Sequence, residues 1–166
     1  QFDVDCIMPV ESNGEVISST KIRKALNDGD VETAANYLGR SYAVSGKIVE
    51  GSKRGKTIGF PTANVQNNFE NKLIPKNGVY FVECVLNNRN IPGIMNIGVR
   101  PTFENDRRLV MEVHLYDFDE NVYGEEIEIF FKKRIRDEKK FNSKEDLIEQ
   151  IKADKEAAEK LINYNR

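Results

Sequence analysis

Two stretches of the chain carry residues whose types and spacing could do chemistry. In the first, Thr62 and Asn64 stand two apart in a segment with strand character, so their side chains would face one way and Ala63 the other. A hydroxyl and a carboxamide oxygen side by side are hard donors. They suit Mg²⁺, which takes few protein ligands and completes its shell with water and substrate phosphates. A Thr and an Asn bonding backbone at a strand end fit the same spacing. In the second stretch, Glu112 and His114 share a face opposite Met111, Val113 and Leu115. A carboxylate on a rigid strand can act as a general base toward a hydroxyl nucleophile. The wet face of an amphipathic strand would look the same. His114 is the only histidine, and with no His or Cys at ligand spacing it does not suggest a metal site.

A third element is the loop Gly51-Ser52-Lys53-Arg54-Gly55-Lys56, which joins glycines to three cations. Glycines let backbone amides approach a ligand, and Arg54 and Lys56 supply charge, so the loop could cradle phosphate. It is no Walker A motif, because Gly55-Lys56-Thr57 leads toward a strand and not a helix. A solvated hairpin loop has the same composition.

These residues need a frame. Residues 42–49, 62–65, 79–86, 91–99, 109–116 and 126–131 read as strands, parted by Gly-, Asn- and Pro-containing turns. Six strands joined mostly by short turns predict an antiparallel sheet closed into a small barrel; the lack of helices between them argues against a parallel α/β sheet. Ahead of them, Ser18 or Ser19 can cap one short helix ended by Gly29, and Asp30 a second ended by Gly39. Pieces this short must lean on another body. At the other end, Ser143 and Asp146 form a capping box before an apolar stripe through Leu147, Ile148, Ile151, Ala158, Leu161 and Ile162. The remaining charged positions of that helix read as its outer face.

Bulk properties narrow the function. The 166 residues carry 25 basic and 27 acidic side chains, a net charge of −2, so no basic surface points to nucleic acid. No apolar run is long enough for a membrane span, and the separated Cys6 and Cys84 suit a reducing, cytoplasmic setting. The opening Gln1-Phe2-Asp3-Val4-Asp5 has no initiator Met and reads as a cut through a longer protein.

Taken together, the motifs resemble a known family. Gly59-Phe60-Pro61-Thr62-Ala63-Asn64 is similar to the signature of riboflavin kinases. In order there follow Gly78-Val79-Tyr80, Asn96-Ile97-Gly98, Pro101-Thr102-Phe103, Glu112-Val113-His114, Asp117-Phe118, Tyr123-Gly124-Glu125 and Arg136-Asp137-Glu138-Lys139-Lys140-Phe141. The resemblance covers roughly residues 42–162. It implies a six-stranded antiparallel Greek-key barrel with a C-terminal helix, and transfer of the γ-phosphate of ATP to riboflavin, yielding FMN and ADP. On that pattern Thr62 and Asn64 hold Mg²⁺ with the ATP phosphates, and Gly51, Arg54, Gly55 and Lys56 belong to the flap over the nucleotide. Glu112 is the catalytic base on the ribityl 5′-hydroxyl. Arg136, Lys139 and Phe141 fall in the loop that closes over the flavin. Asp137 stands where the family often has Pro, and the flap is a residue shorter than in some relatives.

The beginning of the chain resembles a second motif. Ile17-Ser18-Ser19-Thr20-Lys21-Ile22-Arg23 is similar to the segment that closes the nucleotidyltransferase domain of bacterial bifunctional FAD synthetases. That domain also uses a His-x-Gly-His motif, which a chain with one histidine cannot contain. The expectation is a tail of the FMN adenylyltransferase domain and linker over residues 1–39, preceded in the full-length protein by the rest of that domain. A riboflavin kinase domain then occupies residues 40–166. The competing expectations are a bifunctional FAD synthetase, a flavin- or nucleotide-binding barrel without catalysis, and an oligonucleotide-binding barrel, against which the acidic balance and absence of Trp weigh.

Overall fold

The computed structural model describes residues 8–12, 14–51, 59–68, 71–101, 107–141 and 143–164. A small hairpin, β1 (Glu11–Ser12) and β2 (Glu15–Val16), comes first and had no counterpart among the expected elements. Helices α1 (Ser19–Asp28) and α2 (Val31–Leu38) follow, capped as their sequences predict. Ser18 Oγ accepts from Lys21 N, and Asp30 accepts from Thr33 N at 2.9 Å. Gly29, with φ 83°, ends α1 in the left-handed region that glycine enters without a Cβ penalty.

Six strands then form the body: β3 (Tyr42–Val49), β4 (Ala63–Asn67), β5 (Gly78–Leu86), β6 (Arg89–Pro101), β7 (Arg107–Leu115) and β8 (Glu126–Arg136). They close as β3-β4-β7-β6-β5-β8, every pair antiparallel. The hairpin-linked β5, β6 and β7, with β8 returning beside β5, give the Greek-key order. Closure leaves the sheet without an exposed edge. Two register shifts between β5 and β8 supply the local bending that closure needs.

Alternation decides what lies inside. Val44 and Ile48, Val65, Tyr80 through Leu86 at every second position, Met95 and Ile97, Met111 through Leu115, and Ile127, Ile129 and Phe131 fill the barrel. Intervening positions lie on the outer wall. The N-terminal helices dock rather than stand apart: Ala25, Leu26, Val31 and Ala34 join the interior cluster. Lys76 N donates to the Leu26 carbonyl at 3.0 Å, and Arg134 reaches the Asn77 carbonyl and the Tyr80 hydroxyl beside Gly29. These contacts put α1 and α2 over the end where β3 and β5 begin and β8 finishes. Cys84 is fully buried in this core, and loss of hydration pushes its thiol up to about 12.

The long helix α3 (Lys144–Tyr164) begins after Ser143, whose Oγ accepts from Asp146 N at 3.1 Å. It covers the outer wall, burying Ala158 against Val79, Phe81, Ile94 and Tyr116. One position departs from the expected polar outer face: Asp154 is 4% exposed. Its carboxylate accepts two bonds from Arg136 Nε, at 2.8 and 3.1 Å, and one from Nη2 at 2.7 Å, while Gln150 donates from the same helix at 3.0 Å. A buried carboxylate stripped of its cation keeps the full desolvation penalty. Arg136→Met and Asp154→Leu should therefore each lower the unfolding free energy by roughly 3 kcal/mol in chemical denaturation, whereas the double substitution should recover most of the loss.

Candidate active site

The strand register assembles the site. Asn64 on β4 stands opposite Glu112 on β7, which stands opposite Asn96 on β6. Directly opposed side chains lie on one face with Cβ atoms about 5 Å apart. Their neighbours Val65, Met111, Val113, Met95 and Ile97 point inward, so this row runs along the outer wall. His114 is the next outward residue after Glu112 on β7.

Thr62 needs one adjustment from the expected picture. Strand β4 starts at Ala63, paired with Val113, so Thr62 lies just ahead of the ladder. The preceding Pro61 has no N–H to donate, which suits a strand entrance. Asn64 is set from the other side by Gly51, at the far end of β3. A Cβ on Gly51 would fall 1.8 Å from Asn64 Nδ2 and 2.5 Å from its Cγ. The carboxamide therefore lies against the Gly51 backbone, in room that only glycine leaves. Arg54, Gly55 and Lys56 lie outside the described residues.

Beside this row a cleft of about 390 Å³ opens at the end of the barrel opposite α1 and α2, lined by Ile48, Pro61, Thr62, Ala63, Val113, Leu115 and residues 118–123. Its rim is braced by Arg89, which makes paired 2.8 Å bonds to both Glu120 carboxylate oxygens and places its guanidinium 5.3 Å from the Phe118 ring centre. Those hydrogen bonds hold the Glu120 carboxyl below its ordinary range. The connection between the fifth and sixth expected strands, which the family motifs touch at Asp117-Phe118 and Tyr123-Gly124-Glu125 without giving it a role, forms this wall. The signal was present in the aromatic Phe118 and Tyr123, which ordinary turn composition does not call for.

The three residues expected to meet flavin come together. Phe141 has Arg136 Cζ and Lys139 Nζ each 5.9 Å from its ring centre. Lys139 and Phe141 line an open hollow of about 450 Å³ against Asp146, Glu149, Gln150 and Ala153 of α3. Arg136 does not line it, since its guanidinium is committed to Asp154 and to the Asp137 carbonyl. Glu138, which had no expected role, has its carboxylate against Gly98: a Cβ there would sit 2.3 Å from Oε1. Glu138 thereby brings the loop after β8 onto the outer wall near Asn96. A glycine inside a long strand was the clue, since it marks close approach of another group.

Fold and site first define a class: a closed Greek-key barrel with a carboxylate-carboxamide row on its outer wall between an end cleft and a helix-backed hollow. A family model described as "Flavokinase: Riboflavin kinase" matches residues 38–162. Bifunctional riboflavin kinase/FMN adenylyltransferases are 48% identical over 144 residues in Bacillus subtilis and 39% identical over 166 residues in Escherichia coli K12. Those alignments take in 86% and 99% of this chain but 45% and 52% of the relatives. The chain thus spans about half the length of the curated relatives it matches. A solved structure named as a macrolide-efflux protein from Streptococcus pneumoniae superposes with a TM-score of 0.85 at 37% identity, over 91% of this chain and 49% of that one. Riboflavin kinase from Trypanosoma brucei shares the fold, with a TM-score of 0.51 at 21% identity, over 73% of this chain and 79% of that one. The chain belongs to the riboflavin kinase family.

The close fit at Gly51 is testable without any ligand. In Gly51→Ala, the Asn64 side-chain amide should shift clearly in ¹⁵N–¹H spectra, while amides of the β5–β6 wall stay in place.

Proposed function

We propose that this chain transfers the γ-phosphate of ATP to the 5′-hydroxyl of riboflavin, producing FMN and ADP. The observation that carries the reading is the register that sets Asn64 directly across from Glu112, next to the cleft containing Thr62. Donor-side and acceptor-side groups are thus one strand apart on a rigid wall. Phosphoryl transfer depends mostly on positioning and charge stabilisation, so such fixed geometry is what the reaction requires.

Thr62 and Asn64 fit a magnesium ion by donor chemistry. Both offer neutral oxygens, and among the described residues no cluster of three His, Cys, Asp or Glu forms a cage of protein ligands alone. A shell completed by phosphate oxygens and water suits Mg²⁺. When bound, the ion would neutralise charge on the phosphates. Gly51, Arg54, Gly55 and Lys56 cover and pair with the phosphate chain. The cleft walls, including Phe118 and Tyr123, receive the nucleoside. Glu112 orients the ribityl 5′-hydroxyl and takes its proton as the oxygen attacks. Lys139 and Phe141 border the hollow that takes the flavin ring, and Arg136 supports them by fixing the loop.

The relatives are named as bifunctional, yet the sole histidine of this chain projects from β7 toward the Pro61 carbonyl. FAD formation from FMN and ATP is expected to be absent from this chain, with residues 1–39 the closing piece of the adenylyltransferase domain. Among the described residues no helix is long and apolar enough to cross a membrane.

Incubation with riboflavin, ATP and Mg²⁺ should yield FMN and ADP in equal amounts by chromatography. A folded sample that makes no FMN would overturn the proposal. Glu112→Gln should lower kcat on the order of 10²- to 10⁴-fold with nucleotide binding retained, measured by steady-state kinetics and calorimetry.

A further inference from the structure

The Pro61-Thr62 step sits ahead of the β4 ladder, whose first pair is Ala63 with Val113. Pro61 has no N–H, so strand pairing does not fix the backbone at Thr62 from that side. The Pro61 carbonyl is instead met by His114 Nδ1 at 2.7 Å. A carbonyl oxygen only accepts, so Nδ1 carries the proton. The imidazole is itself held edge-on by Phe60 and Tyr116, with both ring centres 5.7 Å away at interplanar angles of 74° and 64°. Tyr116 in turn is 6% exposed and packed into the cluster beneath α3.

We propose that His114 is a positioning residue for phosphoryl transfer, fixing the strand entrance that carries Thr62 against the strand that carries Glu112. The proposal rests on the kinase reading above. His114 and Glu112 are successive outward residues of β7, about 6.8 Å apart along the strand. One rigid strand therefore holds the acceptor-side base directly and the donor-side hydroxyl through the Pro61 carbonyl. This role needs no contact between the imidazole and either substrate. Its effect runs through the backbone at 61–62, and a small displacement there moves Thr62 relative to Asn64.

The test uses the two amides that imitate the two imidazole nitrogens. Asn places its Nδ2–H₂ where Nδ1 lies, bonded to Cγ, whereas Gln carries its donor one atom further out. His114→Gln should raise the KM for MgATP about tenfold, the worth of one hydrogen bond in a fixed geometry, with the KM for riboflavin within about twofold of wild type. His114→Asn should keep the MgATP KM within about threefold. Amide hydrogen exchange over residues 62–65 supplies a readout independent of turnover: faster in His114→Gln, near wild type in His114→Asn. Equal losses in both variants, or unchanged exchange and MgATP KM in His114→Gln, would overturn the proposal. Altered exchange in a protein whose wild type makes no FMN would overturn the kinase reading and leave the backbone clamp standing.

Discussion

Because β3 pairs with β8 and closes the sheet, every strand has one row of side chains sealed in the core and another on the outer wall. The candidate site depends on that division. Val65, Met111, Val113 and Met95 bury the inner row, and their burial fixes the register. Once they are in place, Asn64, Glu112 and Asn96 must line up outside. A slip of one residue would turn the polar row into the core and expose its apolar neighbours, a penalty far larger than any rearrangement of the site could offset.

The two ends of the barrel have different fates. Helices α1 and α2 add Leu26, Val31 and Ala34 to the interior at one end. At the other, Val122 joins the same core and Phe118 packs against it, while residues 118–123 together form the wall of a cleft. A closed end gives the barrel rigidity, and an open one leaves the cleft accessible from outside. The outer wall is likewise divided, since α3 covers the β5–β6 region with Ala158 and Leu161 and leaves the β4–β7 stretch to the polar row.

Arg136 shows how a family pattern and a contact differ in what they say. The sequence pattern associates it with flavin, while its guanidinium is wrapped around Asp154 of α3. Both facts are compatible once Arg136 is seen as an anchor. It fixes the beginning of the loop, Glu138 rests on Gly98, and the Phe141 ring is delivered beside Lys139. The loop is held at its root by an ion pair in a dry place and at its middle by close approach to a strand.

Sequence alone determined the local structure and the chemistry available to it. Apolar and β-branched runs bounded by turn residues marked all six barrel strands, although β8 runs past its expected end at 131 to Arg136. Ser18, Asp30 and Ser143 marked the helix starts, because unpaired amides there need an acceptor. Type and spacing made Thr62, Asn64 and Glu112 candidates, with an ordinary strand end and a wet strand face fitting the same pattern, and the ordered motifs named the family. Relations between distant segments were decided only in the folded chain. Asp154 meets Arg136 across 18 residues, His114 meets Pro61 across 53, and the Gly51 backbone makes room for Asn64. The cleft wall at Phe118 also took shape only there, braced by Arg89 from the start of β6. Such contacts arise from strand order and barrel closure, and no local periodicity encodes which segments closure will bring together.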